Sequence, residues 1–194
     1  IDLTAPKLQS VPTIQSSFIG VDFSFSVWTG RKKDKDISTA LSRANRAKDN
    51  TASVTKDLLA DNPTLSEIHK FIANVRNEHY SLTQPWSAIR VIKNDLFFNR
   101  YVPIMDGHGK TFWGLVRQFV DEYDTAVSGA AFALGDMFKR DDYPTANEIM
   151  TKFSFRVNYM PVPSSGDFRV DVGNQAQAEL KERLEKLTQE RVRS

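Results

Sequence analysis

The chain has 194 residues, 40% of them hydrophobic, enough to bury a core in one domain without covalent staples. It holds no cysteine, which excludes disulfides, thiolate zinc sites and cysteine nucleophiles and fits a reducing, cytoplasmic setting. The net charge of +2 is too mild to argue nucleic-acid binding from the total, and no apolar run approaches the roughly 20 residues that span a bilayer, so no membrane is expected as a partner.

Residues 1–17 carry two prolines and scattered apolar positions and are expected to form an extended arm. The chain opens on Ile1 rather than methionine, which leaves room for a removed leader. From 18 to 28, Val21, Phe23, Phe25 and Val27 alternate with Asp22, Ser24 and Ser26, the period of a half-buried strand. A charged turn is expected at 29–36, with Asp36 capping a short helix whose apolar face is Ile37, Ala40, Leu41 and Ala44. A second helical stretch is expected at 54–59. Thr64 and Glu67 have capping-box spacing for a third, with Leu65, Ile68, Phe71, Ile72 and Val75 as its stripe, fading before Pro85.

Residues 86–103 are rich in β-branched and aromatic types and suggest strands at 88–92 and 96–102, with helix as the alternative. A glycine-containing loop at 106–110 precedes the longest periodic run, Phe112, Val116, Phe119, Tyr123, Val127, Ala130, Leu134 and Met137, which predicts a long core helix. Thr145 and Glu148 repeat the capping-box spacing for a short helix. Strands are then expected around Phe153, Phe155, Val157 and Tyr159, and around Phe168, Val170 and Val172, joined as a long hairpin. At 174–194 Leu180, Leu184 and Leu187 are spaced by four and three, and Glu179 with Arg183 and Glu182 with Lys186 are favourable i,i+4 pairs. The helix has no terminator and is expected to continue past Ser194. The reading is an α+β chain, mainly helical, with a small antiparallel sheet and a C-terminal coiled-coil-like helix: an arm at 1–17, a globular domain at 18–172, and a charged helix at 173–194.

Few residues point to catalysis. Gly107-His108-Gly109-Lys110-Thr111 could offer backbone amides to a phosphate, but the position where a P-loop has its first glycine is Ile104. His69, His79 and His108 lack the spacing of metal ligands on one helix face, and Asp141-Asp142 follow Lys139 and Arg140 as a solvated helix end would. No catalytic residue, metal ligand or cofactor is assigned. Charge clusters at 30–48, where seven bases (Arg31, Lys32, Lys33, Lys35, Arg43, Arg46, Lys48) outnumber two acids, Asp34 and Asp36. Arg31, Lys32, Lys33 and Lys35 beside Trp28 are the candidate nucleic-acid contacts, since cations can track a single strand while rings stack on bases; Arg90, Lys93 and Arg100 interleave likewise with Trp86, Phe97, Phe98 and Tyr101. Leu180, Leu184 and Leu187 are the candidate oligomerisation residues.

Trp28-Thr29-Gly30-Arg31-Lys32-Lys33, Tyr143-Pro144-Thr145 leading to Phe153, and Pro161-Val162-Pro163 with Gly166-Asp167-Phe168 resemble the phage-associated domain-of-unknown-function 3150 family. The resemblance implies a phage-encoded protein acting inside the host cell and carries over no catalytic residue. The leading expectation is a non-enzymatic phage protein that self-assembles as a homo-oligomer or docks on another phage protein through the extended arm and the tail helix. The alternative is a nucleic-acid binder in single-strand binding, annealing or packaging, and the third reading is a small nucleotide- or metal-dependent enzyme built on His108 and Lys110.

Overall fold

The computed structural model describes residues 17–162 together with 182, 183, 185 and 186. The chain is α+β and mainly helical, with a four-stranded antiparallel sheet and a separate two-stranded ribbon. In order come β1 (Phe18–Ser26), β2 (Arg31–Asp34), α1 (Lys35–Ala44), β3 (Val54–Asp57), α2 (Pro63–Leu82), β4 (Gln84–Trp86), β5 (Ile89–Lys93), α3 (Val102–Leu134), α4 (Ala146–Ile149) and β6 (Ser154–Pro161). The sheet order is β4-β5-β1-β6, and β2 pairs with β3 alone. No helix among the described residues is long and apolar enough to cross a membrane.

Contacts divide the chain into two compact units. Of the described residues, the first takes those up to Asp22, Tyr80–Ile104 and those from Val157 onward. There β1 meets β5 antiparallel, with Phe18 opposite Lys93 and Val21 opposite Arg90, burying Ile19, Val21, Val91 and Ile92 beside Phe97 and Tyr101. Tyr159 sets its ring edge-on to Phe97 at 4.8 Å. Gly20 is required here, because a Cβ would lie 2.7 Å from Met160 Cγ and 3.1 Å from Ile89 Cδ1. Arg90 ties β5 to the end of α2: its Nε donates to Thr83 Oγ1 (2.7 Å) and its guanidinium covers the Tyr80 ring at 4.7 Å.

The second unit comprises Phe23–His79 and Met105–Arg156. Its core is the expected pair of stripes, Leu65, Ile68, Ile72 and Val75 on α2 and Phe112, Val116, Phe119, Tyr123, Val127 and Ala130 on α3, joined by Leu58, Tyr143, Ile149 and Phe153. Two buried phenols find carbonyls, Tyr143 donating to Leu58 O (2.6 Å) and Tyr123 to Pro144 O (2.7 Å).

Several expectations are corrected. Residues 54–57 form a strand, not a helix: Val54 and Lys56 turn inward, Thr55 and Asp57 outward, and β2 supplies the ladder. The 29–36 turn is instead β2 followed directly by α1, so the cap is Asp34, whose Oδ1 accepts from Ile37 N at 3.0 Å, and not Asp36. Asn62, not Thr64, caps α2, accepting from Leu65 N at 2.9 Å, while Thr64 donates to Glu122. The 88–92 strand is present as β5, but 96–102 is helical: Asn94–Leu96 and a π-helical turn at Phe97–Tyr101 run straight into α3. Apolar residues at 97, 101, 102 and 105 lie on one buried helical face, which outweighs their β propensity. The 106–110 loop also belongs to α3, its glycines tolerated inside a helix anchored on either side by Tyr101, Met105 and Phe112. The capping box at Thr145 and Glu148 and the strand after it form as expected. The strand expected around 168–172 and nearly all of the 173–194 helix lie outside the described residues, as does the arm.

Candidate functional site

The β2–β3 ribbon sorts charge by the strand period of two. Lys32 and Asp34 point to one side with Lys56, and Arg31 and Lys33 to the other with Thr55 and Asp57. Lys56 is 3% exposed and its ammonium spends all three donors, on Asp142 Oδ2 (2.6 Å), Met137 O (3.1 Å) and Asp34 Oδ2 (3.2 Å). Lys32 is directly opposite Lys56 in the ladder, and Asp142 bridges the two ammonium groups, its Oδ1 lying 2.9 Å from Lys32 Nζ. Two cations and two carboxylates therefore balance within the cluster.

The shifts follow from these contacts. The N–H of Ile37 holds the Asp34 carboxyl below the ordinary carboxylate range, with Lys56 adding to it against desolvation. Burial pushes the Asp142 carboxyl up, but hydrogen bonds from Lys56 and Lys32 outweigh it and leave it below that range. The bond to Asp142 raises Lys56 above its usual value despite burial.

With the cluster neutral, the outer side keeps the charge. Arg31, Lys33, Lys35, Arg46 and Lys48 are exposed and in none of the observed ion pairs, whereas Arg43 reaches Asp49 at 3.4 Å and Lys139 reaches Asp36 at 3.2 Å. Asp57, opposite Arg31, is the one carboxylate of the ribbon on this side. Of the expected contacts, Arg31 and Lys33 share the outer side of the ribbon, Lys35 is exposed at the start of α1, and Lys32, half exposed, turns to Asp142. Trp28 is half-buried, its ring 5.9 Å from Tyr123 and 6.1 Å from Phe119, and its carbonyl accepts from His69 Nε2 at 2.8 Å.

Helix α1 reverses the expected orientation. Its buried contact is Ser42, 1% exposed, whereas Leu41 is 43% exposed and Ala40 and Ala44 also face out. The cause is hydrogen bonding. Ser42 Oγ accepts from Ala52 N (3.2 Å) and Ser38 Oγ from Val54 N (2.8 Å), satisfying backbone donors that enter β3. The sequence signal was two serines at i,i+4. Lys56, a lone lysine between Thr55 and Asp57, gave no such signal.

Elsewhere, His108 Nε2 lies 2.5 Å from Glu78 Oε2 with its ring edge-on to Phe71, joining α3 to α2. Because 107–111 lie inside α3, their amides belong to the helix ladder and do not form a phosphate cradle. Among the described residues no group of three His, Cys, Asp or Glu is placed to hold a metal. A hollow of about 60 Å³ in the first unit, lined by Phe18, Pro85, Trp86 and Val91, has room for water but not for a cofactor. Leu180, Leu184 and Leu187 lie outside the described residues; of the tail, Glu182 pairs with Lys186 at 3.1 Å and Arg183 sits 5.3 Å over the Phe98 ring. Comparison with family models, curated proteins and solved structures found no match.

Proposed function

We propose that the chain is a non-enzymatic protein, phage-encoded as its resemblance implies, that docks on an acidic partner through the outer face of β2 and α1. One observation carries this reading: the Lys56 cluster neutralises itself and leaves Arg31, Lys33 and Lys35 facing solvent, with Ala40, Leu41 and Ala44 exposed on the helix that follows directly. Cations around an apolar strip match a protein surface that offers both carboxylates and aliphatic area. A single-stranded nucleic acid is the second reading, supported by the same cations. Its phosphates would find partners here, while Trp28, committed to Phe119 and Tyr123, leaves base stacking without its expected ring.

The test is retention on immobilised poly-glutamate and on an immobilised single-stranded oligonucleotide, at low and high salt, for the natural chain and for the Arg31→Ala, Lys33→Ala, Lys35→Ala variant. Docking on protein predicts salt-sensitive retention on poly-glutamate that the variant loses. Stronger, salt-sensitive retention on the oligonucleotide would promote the nucleic-acid reading, and no retention on either, or retention unchanged in the variant, would end both.

A further inference from the structure

We infer that the partner of this face is a second copy of the chain, which presents an acidic ridge on α3. The inference rests on the docking reading above and names its occupant. Asp121, Thr125, Ser128, Phe132 and Asp136 follow one another at steps of four, three, four and four, so they line one side of α3 and the turn that ends it. All five are exposed. From Gln118 to Asp136 the ridge carries Asp121, Glu122, Asp124 and Asp136 and no base. Glu122 is occupied by Thr64 and Gln118, whereas Asp121, Asp124 and Asp136 are exposed and in none of the observed ion pairs.

Toward the C-terminal end of the ridge Phe132 is 92% exposed, the most exposed large apolar side chain among the described residues. One turn before it, Gly129 leaves open space where a Cβ would meet no atom within 4 Å. A solitary exposed leucine is ordinary, but a whole phenyl ring standing on a shelf of small residues between carboxylates has the form of an interface anchor.

The same unit holds the complement of this ridge. Around α1 the exposed charges outside ion pairs are Arg31, Lys33, Lys35, Arg46 and Lys48 against Asp57 alone, Asp36 and Asp49 being paired with Lys139 and Arg43, and the exposed apolar residues of the helix are Leu41, Ala40 and Ala44. Each surface lacks what the other supplies: unpaired bases against unpaired acids, and a flat aliphatic strip against a projecting ring. Because the two surfaces differ, two copies either join them reciprocally about a twofold axis or make a heterologous contact, the ridge of one copy on α1 of the next, that extends head to tail unless rotation closes a ring.

Charge exchange tests this directly. One variant carries Arg31→Glu and Lys33→Glu, the other Asp121→Lys and Asp124→Lys; all four positions are exposed, so both should keep the natural circular dichroism spectrum and melting temperature. Light scattering at low salt should give a mass above one chain, 22.0 kDa, for the natural protein. Each variant alone should give the mass of one chain, its association weakened more than about tenfold by like charge across the contact, and an equimolar mixture of the two should restore the larger species. Phe132→Ser should lower association without changing the melt. A natural chain that stays at one-chain mass at high protein concentration, a variant that keeps its mass alone, or a mixture that fails to associate would each overturn the inference. Retention on poly-glutamate separates the two claims: if it persists in the natural chain and falls in the Arg31→Glu, Lys33→Glu variant, docking stands and only the choice of a second copy falls.

Discussion

Replacing Lys56 by methionine keeps an unbranched side chain one atom shorter and removes its charge, and it should destabilise the second unit more than any surface change. Lys56 is 3% exposed and satisfies Asp34 and Asp142 together. Breaking a buried ion pair on one side costs about 3–5 kcal/mol, because the surviving charge is left without its partner. Asp142 would keep Lys32, which is half exposed and in contact with water, and Asp34 would keep the Ile37 N–H, so the low end of that range, about 3 kcal/mol, applies. For a chain of this size that corresponds to a fall in melting temperature of roughly 6–12 °C. Thermal unfolding followed by circular dichroism reads it. Adding Asp142→Leu to Lys56→Met should recover part of the loss, since an apolar pair leaves one fewer buried charge stranded. A fall under about 2 °C for the single variant would refute the assignment of Lys56 as the hub that joins β2, β3 and the 137–142 segment.

Ser42→Ala should cost about 1–3 kcal/mol in the same melt, by leaving the Ala52 N–H without an acceptor; a neutral outcome would mean that α1 is held by other contacts. Gly20→Ala should lose about 1–3 kcal/mol through the clash with Met160 and Ile89, and an unchanged melt would contradict the close approach of β6 to β1. Stability should also fall at both ends of the pH scale. Asp34 and Asp142 lie below the ordinary carboxylate value in the fold, so their contribution is full above the unfolded value of about 4 and is lost as pH falls through the folded values. Lys56 is raised, so its contribution is full below about 10.4 and is lost as pH rises through its folded value. Burial pushes Tyr123 and Tyr159 up to about 12, and they share that alkaline loss, so the clean readout of the cluster is the acid side. Lys56→Met should flatten the acid decline, and an equal slope in both proteins would count against the cluster.

The core was readable because burial imposes a period. The Leu65 to Val75 and Phe112 to Ala130 stripes recur every three or four residues, and each is buried where the spacing placed it. Failures gathered where local propensity and tertiary contact disagree. Phe97, Phe98 and Tyr101 favour strands by residue type, yet Phe97 and Tyr101 are drawn into a helical turn by a shared buried face. Gly107 and Gly109 suggest a loop, yet α3 passes through them because its flanking turns are anchored. The cationic surface was legible as a charge count but not as a geometry. Only the pairing of β2 with β3 separates Lys32, committed inward, from Arg31 and Lys33, which face out. Helix α1 misled for a related reason: its apolar stripe looked like a core face, and two serine hydroxyls claimed the inner position instead.

Which lysines a partner covers decides where the protein docks. Acetylation of exposed amines, read residue by residue by mass spectrometry, should label Lys33 and Lys35 readily in the dilute protein and spare Lys56, which is 3% exposed. With poly-glutamate added at low salt, labelling of Lys33 and Lys35 should drop while that of Lys70 and Lys110, exposed on other helices, stays constant, and salt should reverse the protection. Uniform labelling with and without the acidic polypeptide, or protection centred on Lys70 or Lys110, would contradict the claim that the outer face of β2 and α1 is where this protein docks.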